Sequence, residues 1–340
     1  MYSHSPYSLW KVLTGCILFI AVAVYLSVTS GAFDMSVLEI VKTLLRIDSD
    51  ADRDLVLFEF RLPRIVLGLL VGFALGAAGA VIQGVTRNNL ADPGILGINA
   101  GAGMMVVLFM FALREVIDIE GTLSVLMMPM FGMAGGLAAA GLILLLSRRG
   151  GRLDPQRLIL VGIAMSLGFG AATLYMSLKM NPRDFETAVV WLSGSIHSAN
   201  WKYVAALLPW IALMLPIVWL RSDKLDVMQL EEVSAVSLGL SLERERLILL
   251  IGSVGLVAAS VSVSGSIGFV GLIAPHMAKR LIGLSHRRII PVSGLIGMAL
   301  IAVGDFIGKT IFAPAQLAVG IVISIIGVPY FVYLLIRART

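Results

Sequence analysis

The sequence predicts an all-α, polytopic membrane protein with about ten transmembrane helices, and three observations carry that prediction. Hydrophobic residues make up 58% of the 340-residue chain and charged residues only 14%, at a mean hydropathy of +0.95. That leaves too little polar surface to clothe a soluble globule of this length. Apolar runs of roughly 17 to 25 residues recur along the chain, long enough for helices to cross a bilayer and unlike the alternating ten-residue strands of an outer-membrane barrel. Lys and Arg gather in the short segments between these runs, where they set orientation. The formal charge of +5 therefore does not indicate nucleic-acid binding, since no basic stripe lies on a soluble domain.

The first run is read as a span from Leu13 to Val28. Cys16 closes "LTGC", which resembles a lipoprotein processing site, but the apolar run follows this cysteine instead of preceding it. As the single cysteine of the chain, Cys16 cannot form an intrachain disulfide. Residues 31–60 read as an acidic external segment, in which "MSVLEIVKTLL" has the spacing of a short amphipathic helix lying over the spans. The second run, 65–86, carries Gly68, Gly72 and Gly76 every four residues, with Gly79 close by. Small residues on one face let a second helix approach to backbone contact. In "NLADPGILGINAGAG", Asp92 and Pro93 end that helix and the glycines let the next start tightly.

Further runs fall near 95–113, 122–146, 158–178, 203–220, 247–263, 267–278, 289–304 and 317–336, and the eighth of the ten, 267–278, is too short for a full crossing. Loop charge decides whether it counts. The clusters "SRRGGRLDPQR", "RSDKLD", "AKRLIGLSHRR" and the terminal "RAR" belong on one face, the cytoplasm, and basic loops on the same side are joined by an even number of crossings. Residues 247–278 must then go out and back, with "SVSGSIGFVG" as the turn and a short or half helix as the return limb. Ten spans place both termini in the cytoplasm. Spans two to five and seven to ten then run in opposite senses, as an inverted-topology repeat would. The chain is thus one transmembrane domain, 1–340, with an external segment at 31–60 and a cytoplasmic loop at 221–246.

The spans lack the midplane carboxylates of ion-coupled transporters. His276, inside "GLIAPHMAKR", has no companion ligands for a metal, and a carbonyl freed by Pro275 is its expected partner. Asp305 and Lys309 are four apart at the outer end of the ninth run and read as a helical ion pair. "GDFIGKT", Gly304 to Thr310, superficially matches a phosphate-binding loop, but its glycine spacing is wrong and no strand precedes it. With no nucleotide site, nucleophile–base pair or metal quartet, the chain reads as a non-enzyme without cofactor, energised from elsewhere.

In the loop "LDVMQLEEVSAVSLGLSLERERL", Leu230, Val233, Val236 and Leu240 fall near one face of a short helix that starts at Glu231 and Glu232 and closes at Gly239. Its acids suit a protein groove better than an anionic leaflet.

From these residues outward the chain resembles the permease subunits of type II ABC importers, the family that takes up ferric siderophores, haem and cobalamin. "RLPR" at Arg61 to Arg64, "NLADPGILGINAGAG" from Asn89, "EVSAVSLGL" from Glu232, "GSIGFVGLIAPHMAKRL" from Gly265, "HRR" from His286 and "QLAVGIVISIIGVPYFVYLL" from Gln316 stand in the family's order and spacing. The resemblance implies a multi-pass permease of a bacterial cytoplasmic membrane, paired with itself or a sister permease, with the substrate path between the two. An extracytoplasmic solute-binding protein docks outside and an ABC ATPase dimer inside. The resemblance assigns Arg61, Arg64 and Lys309 to glutamates of the binding protein, and Glu232, Ser234, Ala235, Leu238, Gly239 and Leu240 to the element that couples to the ATPase. It implies an iron(III)-siderophore as cargo, with haem or cobalamin as the alternative; the inverted repeat by itself would also suit an ion-driven secondary transporter, the rival of a different class, which needs an ionisable midplane residue that the spans lack. Six positions depart from the family pattern: Lys309 stands where arginine is frequent, Glu231 where glycine is usual, Val236 where arginine is frequent, Asn89 where proline is common, and Gln316 and Ala318 stand in "QLA", which replaces "ELP". Lysine at 309 turns a bidentate contact into a point charge.

Overall fold

The computed structural model describes residues 8–30, 35–47, 50–113, 122–313 and 315–337. In chain order its helices are α1 (Leu9–Thr29), α2 (Val37–Leu44), α3 (Ala51–Thr86), α4 (Ile98–Leu108), α5 (Thr122–Leu146), α6 (Pro155–Ser177), α7 (Pro182–Leu192), α8 (Trp201–Leu220), α9 (Ser222–Met228), α10 (Glu232–Ser237), α11 (Leu242–Ser264), α12 (Val270–Ile282), α13 (His286–Thr310) and α14 (Val319–Arg337). Among the described residues eight of these are long and apolar enough to cross a membrane, all but α2, α4, α7, α9, α10 and α12. The short helices α4 and α12 occupy the third and eighth apolar runs. A two-residue hairpin, β1 (Arg148–Arg149) with β2 (Arg152–Leu153), turns the basic loop between α5 and α6.

Within the expected external segment, residues 51–61 are helical and continuous with the second apolar run, so that α3 runs unbroken for 36 residues. The Asp50 side chain caps its start, accepting from the backbone N–H of Asp52 at 3.0 Å. Leu55–Arg61 are π-helical, and the Leu62 N–H reaches back to the Leu57 carbonyl. Pro63 follows directly and has no N–H to donate, so a wider turn at its entry absorbs the break in the helical ladder. Charged residues on this stretch hid its continuity with the apolar run. Helix α2 carries a reciprocal cap, Ser36 N–H to Glu39 at 2.8 Å and Glu39 N–H to Ser36 Oγ at 3.3 Å. The bond from the Ser36 N–H holds the Glu39 carboxyl below its ordinary range. Ile40 packs with Met35 and Leu57, which folds α2 down onto the front of α3.

Helix α3 is the axis of the molecule, flanked by α13, α11 and α12. Its residues from Ala74 to Thr86 are buried without interruption. A Cβ at Gly72 would stand 2.4 Å from the Gly297 carbonyl oxygen, and one at Gly76 2.2 Å from that of Ser293. Gly79 meets α12 in the same way, 2.0 Å from the Gly271 oxygen. Gly68 differs from the expectation of backbone contact, since it meets only side-chain atoms of Ile196 and Ile301.

The short second helix expected within 247–278 is present. Helix α11 ends at Ser264, Gly265 turns with φ +69°, and α12 starts after Phe269 at φ +66°. At about 1.5 Å per residue its 13 residues span roughly 20 Å, short of a hydrocarbon core of about 30 Å. Asp92 accepts hydrogen bonds from the backbone N–H of Phe269 and of Gly94, so the loop after α3 caps the buried start of this half helix. Helix α7, capped by Asn181, lies in a stretch that the apolar runs leave blank.

Candidate functional site

At the outer end, as loop charge orients the chain, three cations converge on one recess of about 530 Å³ whose lining includes Arg61, Arg64, His197, Asp305, Lys309 and Gln316. Arg61 and Arg64 are three apart and so share a face of α3. Lys309 belongs to the last turn of α13, where a cation complements the helix dipole.

Each cation is already engaged within the chain. The Arg61 guanidinium donates to the Val28 carbonyl, and the Lys309 ammonium donates to the Ser27 carbonyl at 2.6 Å, so both grip the end of α1. Arg64 places Nε and one terminal nitrogen on a single oxygen, Asp305 Oδ1, at 2.9 and 2.8 Å. Its other terminal nitrogen donates to Gln316 at 2.8 Å and stands 3.4 Å from His197 Nδ1. The expected Asp305–Lys309 pair is therefore replaced by Arg64–Asp305. Helix crossing puts the guanidinium, 241 residues away in sequence, beside the carboxylate, while the lysine points along the helix end to α1. Gly304 and Gly308 of the phosphate-loop look-alike lie inside α13, with Gly308 against the Leu317 carbonyl.

At the inner end, α9 and α10 project a short knuckle. Gly239 closes α10 with φ +81°. Ala235 and Leu240 are buried, whereas Leu230, Val233, Val236 and Leu238 are exposed along with Glu231, Glu232 and Ser234. The apolar face expected from helical spacing thus loses Leu240 and gains Leu238, because the left-handed turn at Gly239 sends the chain back under the helix. Glu232 reaches Arg246 of α11 at 2.6 Å, and this bond holds its carboxyl below the ordinary range. Glu243 adds a second contact to Arg246 at 3.4 Å and accepts from the Leu153 N–H at 2.9 Å.

Helix α9 wedges the knuckle against the inner ends of α3 and α13. Asp226 Oδ1 accepts from the His286 N–H at 2.9 Å and lies 2.6 Å from His286 Nδ1, at the first residue of α13. Gln229 donates to the Gly84 carbonyl of α3 at 3.1 Å. Nothing in the linear pattern singled out Asp226 or Gln229. His286 appeared only as part of a basic motif.

His276 corrects another expectation. Its Nε2 is buried without a hydrogen-bond partner, and its ring stands edge-on to Tyr330 at 5.9 Å, so an aromatic neighbour takes the place of a freed carbonyl. Among the described residues no group of three or more His, Cys, Asp and Glu side chains could hold a metal ion.

Residues 18–337 match the model of the FecCD transport family. The chain is 49% identical over 320 residues, 94% of its length and 95% of the relative's, to the iron-uptake system permease protein FeuC of Bacillus subtilis (strain 168). It is 44% identical over 322 residues, 95% of each chain, to the iron(3+)-hydroxamate import system permease protein FhuG of the same organism. Among solved structures, a metal-chelate type ABC transporter in an inward-facing conformation matches with a TM-score of 0.82 at 28% identity, covering 96% of this chain and 99% of that one.

Proposed function

We infer from membership of the FecCD transport family, to which this chain belongs, that it carries an iron(III) chelate of the siderophore class inward between two permease subunits, itself and an identical or sister permease. It is itself a membrane-embedded transport subunit and not an enzyme. Nucleotide is hydrolysed on partner chains, an ATPase dimer seated against α10, while an extracytoplasmic binding protein delivers cargo at the outer recess.

The observation that carries this reading is the pairing of two unlike surfaces at opposite ends of α3: a cationic recess with Arg61, Arg64 and Lys309, and a knuckle that exposes Val233 at 77% and Leu238 at 68%. The first suits carboxylates, which an arginine holds with both register and strength. The second suits an apolar groove on a soluble partner. Closure of the ATPase dimer would move the knuckle, and α9 would pass that movement to α3 and α13.

The test is charge reversal at the two recess cations that Asp305 does not hold. Arg61→Glu with Lys309→Glu is expected to cut binding-protein-stimulated ATPase activity at least tenfold while the ATPase still co-purifies; undiminished stimulation would refute the docking role. A second expectation concerns the inner joint. Asp226→Ala removes the acceptor that ties α9 to α13, a loss of about 1–3 kcal/mol for such a contact. Uptake per ATP hydrolysed by the reconstituted transporter should fall, and an unchanged ratio would show that α9 does not transmit the stroke.

A further inference from the structure

We propose that Asp305 is a built-in competitor for the docking carboxylate, and that Arg64 is the hub of an outer clasp which docking undoes. The inference rests on the reading of the recess as the binding-protein surface and adds to it a residue that limits docking and a route by which docking is felt inside the membrane.

Four elements meet at Arg64. It belongs to α3, Asp305 to α13, His197 to the loop between α7 and α8, and Gln316 to the segment that leads into α14. The clasp is largely dry, with the Arg64 side chain 15% exposed and that of Asp305 7%. In such a setting an ion pair is strong, and a partner left behind is strongly disfavoured. Yet the pairing geometry is not the best a guanidinium can make. Both donors fall on one oxygen, Oδ1, at 2.8 and 2.9 Å, whereas the parallel fork with two oxygens is the stronger, more directional form. A carboxylate arriving through the recess can offer that fork.

The exchange has a defined consequence for the chain. As the guanidinium turns towards the incoming carboxylate it leaves Oδ1 of Asp305 and gives up the 2.8 Å bond to Gln316. Asp305 then has Lys309, one turn further along α13, as the cation within reach. Lys309 in turn holds the Ser27 carbonyl of α1 at 2.6 Å. Docking therefore loosens the entry to α14 and the outer end of α1, while the glycine contacts of α3 with α13 deeper in the membrane stay closed. The recess acts as a sensor whose resting state is set by Asp305, and a differential affinity for the two arrangements is what lets docking shift the balance.

The experiment is a double-mutant cycle on the assembled transporter in lipid nanodiscs, with the ATPase bound and the apo binding protein of the same transport system as the probe. Asp305→Asn removes the competing charge at constant shape and is expected to tighten docking about tenfold. Substrate-independent ATPase activity should rise with it. In the Arg64→Gln background the same change at 305 should tighten docking far less, because the guanidinium is gone and only the point charge of Lys309 is left for Asp305 to occupy. Equal tightening in both backgrounds would show a general field effect and overturn the proposal, as would docking that is unchanged or weaker in assembled Asp305→Asn. Should that variant fail to assemble, Gln316→Ala releases another Arg64 nitrogen without leaving a buried charge. It is expected to tighten docking about threefold, and no change would overturn the clasp. If Arg64→Gln by itself leaves docking intact, the docking surface is wrong. If it weakens docking but neither Asp305→Asn nor Gln316→Ala tightens it, only the clasp is wrong.

Discussion

Placing aspartate at both Val233 and Leu238 is expected to detach the ATPase from the permease. Both side chains are large, apolar and mostly exposed, at 77% and 68%, and burying each in a partner groove contributes roughly 1.5–3 kcal/mol. Carboxylates at these positions forfeit that contribution and add the cost of desolvating a charge. A loss of at least about 3 kcal/mol weakens association more than a hundredfold, enough for the ATPase to vanish from the purified complex. Co-purification in detergent, followed by ATPase activity in the eluate, reads the result directly. Leu240→Ala provides the contrast. Leu240 is 7% exposed and lies beneath the knuckle, so its truncation should cost about 2–4 kcal/mol of loop stability and lower the unfolding temperature, with loss of the partner only as a consequence. If the double aspartate variant retains its ATPase in full, α10 is not the docking element.

Gly76→Val is expected to prevent accumulation of folded protein. Its Cβ would lie 2.2 Å from the Ser293 carbonyl oxygen and 2.8 Å from the carbonyl carbon, and neither can yield because both belong to the backbone of α13. The helices would have to part by more than 1 Å or so, and overpacking of a close interior commonly costs about 1–3 kcal/mol, or more where the backbone must shift. Here the displaced pair is the axis of the molecule. Gly68→Ala is the matched control, because its Cβ would meet only side-chain atoms, Ile196 Cδ1 at 2.9 Å and Ile301 Cγ2 at 3.2 Å, and no backbone. Detergent-solubilised yield and a monodisperse elution profile separate the two. A Gly76→Val protein recovered at normal yield would show that α3 and α13 do not need backbone contact.

The placement of the helices was legible because each apolar run reports on its own surroundings. A stretch such as 317–336 is driven into lipid by composition, whatever its neighbours do. The half helix after Gly265 was legible for a related reason, since two basic loops had to be joined by too few residues. What was not legible was helical structure without an apolar run. The front of α3 from residue 51 carries Asp52, Arg53, Asp54 and Glu59, and α7 starts with "PRDFE", so neither announced itself as part of the helical framework. Both are stabilised by local caps at Asp50 and Asn181 and by packing that composition does not encode.

The candidate site divides along the same line. Arg61, Arg64 and Lys309 stood out as charges at the ends of apolar helices, and the glycine row of α3 stood out by its period. Their partners did not. Asp305 appeared to belong to Lys309, four residues away, yet it pairs with Arg64. Leu240 appeared to share a face with Val236, yet the positive φ at Gly239 turns it inward. His276 appeared to need a carbonyl and has a tyrosine ring instead.

The sequence by itself determined that this chain lives in a membrane, roughly where it crosses, which end carries cations and which loop carries an apolar knuckle. These follow from the transfer of each segment between water and lipid, a property that neighbours in sequence share. Only the tertiary structure decided which charges neutralise each other, which glycines touch backbone and which side of the knuckle faces outward. Those depend on distances between helices far apart in the chain, where a single crossing brings residues 64 and 305 within hydrogen-bond reach and no local pattern records the meeting.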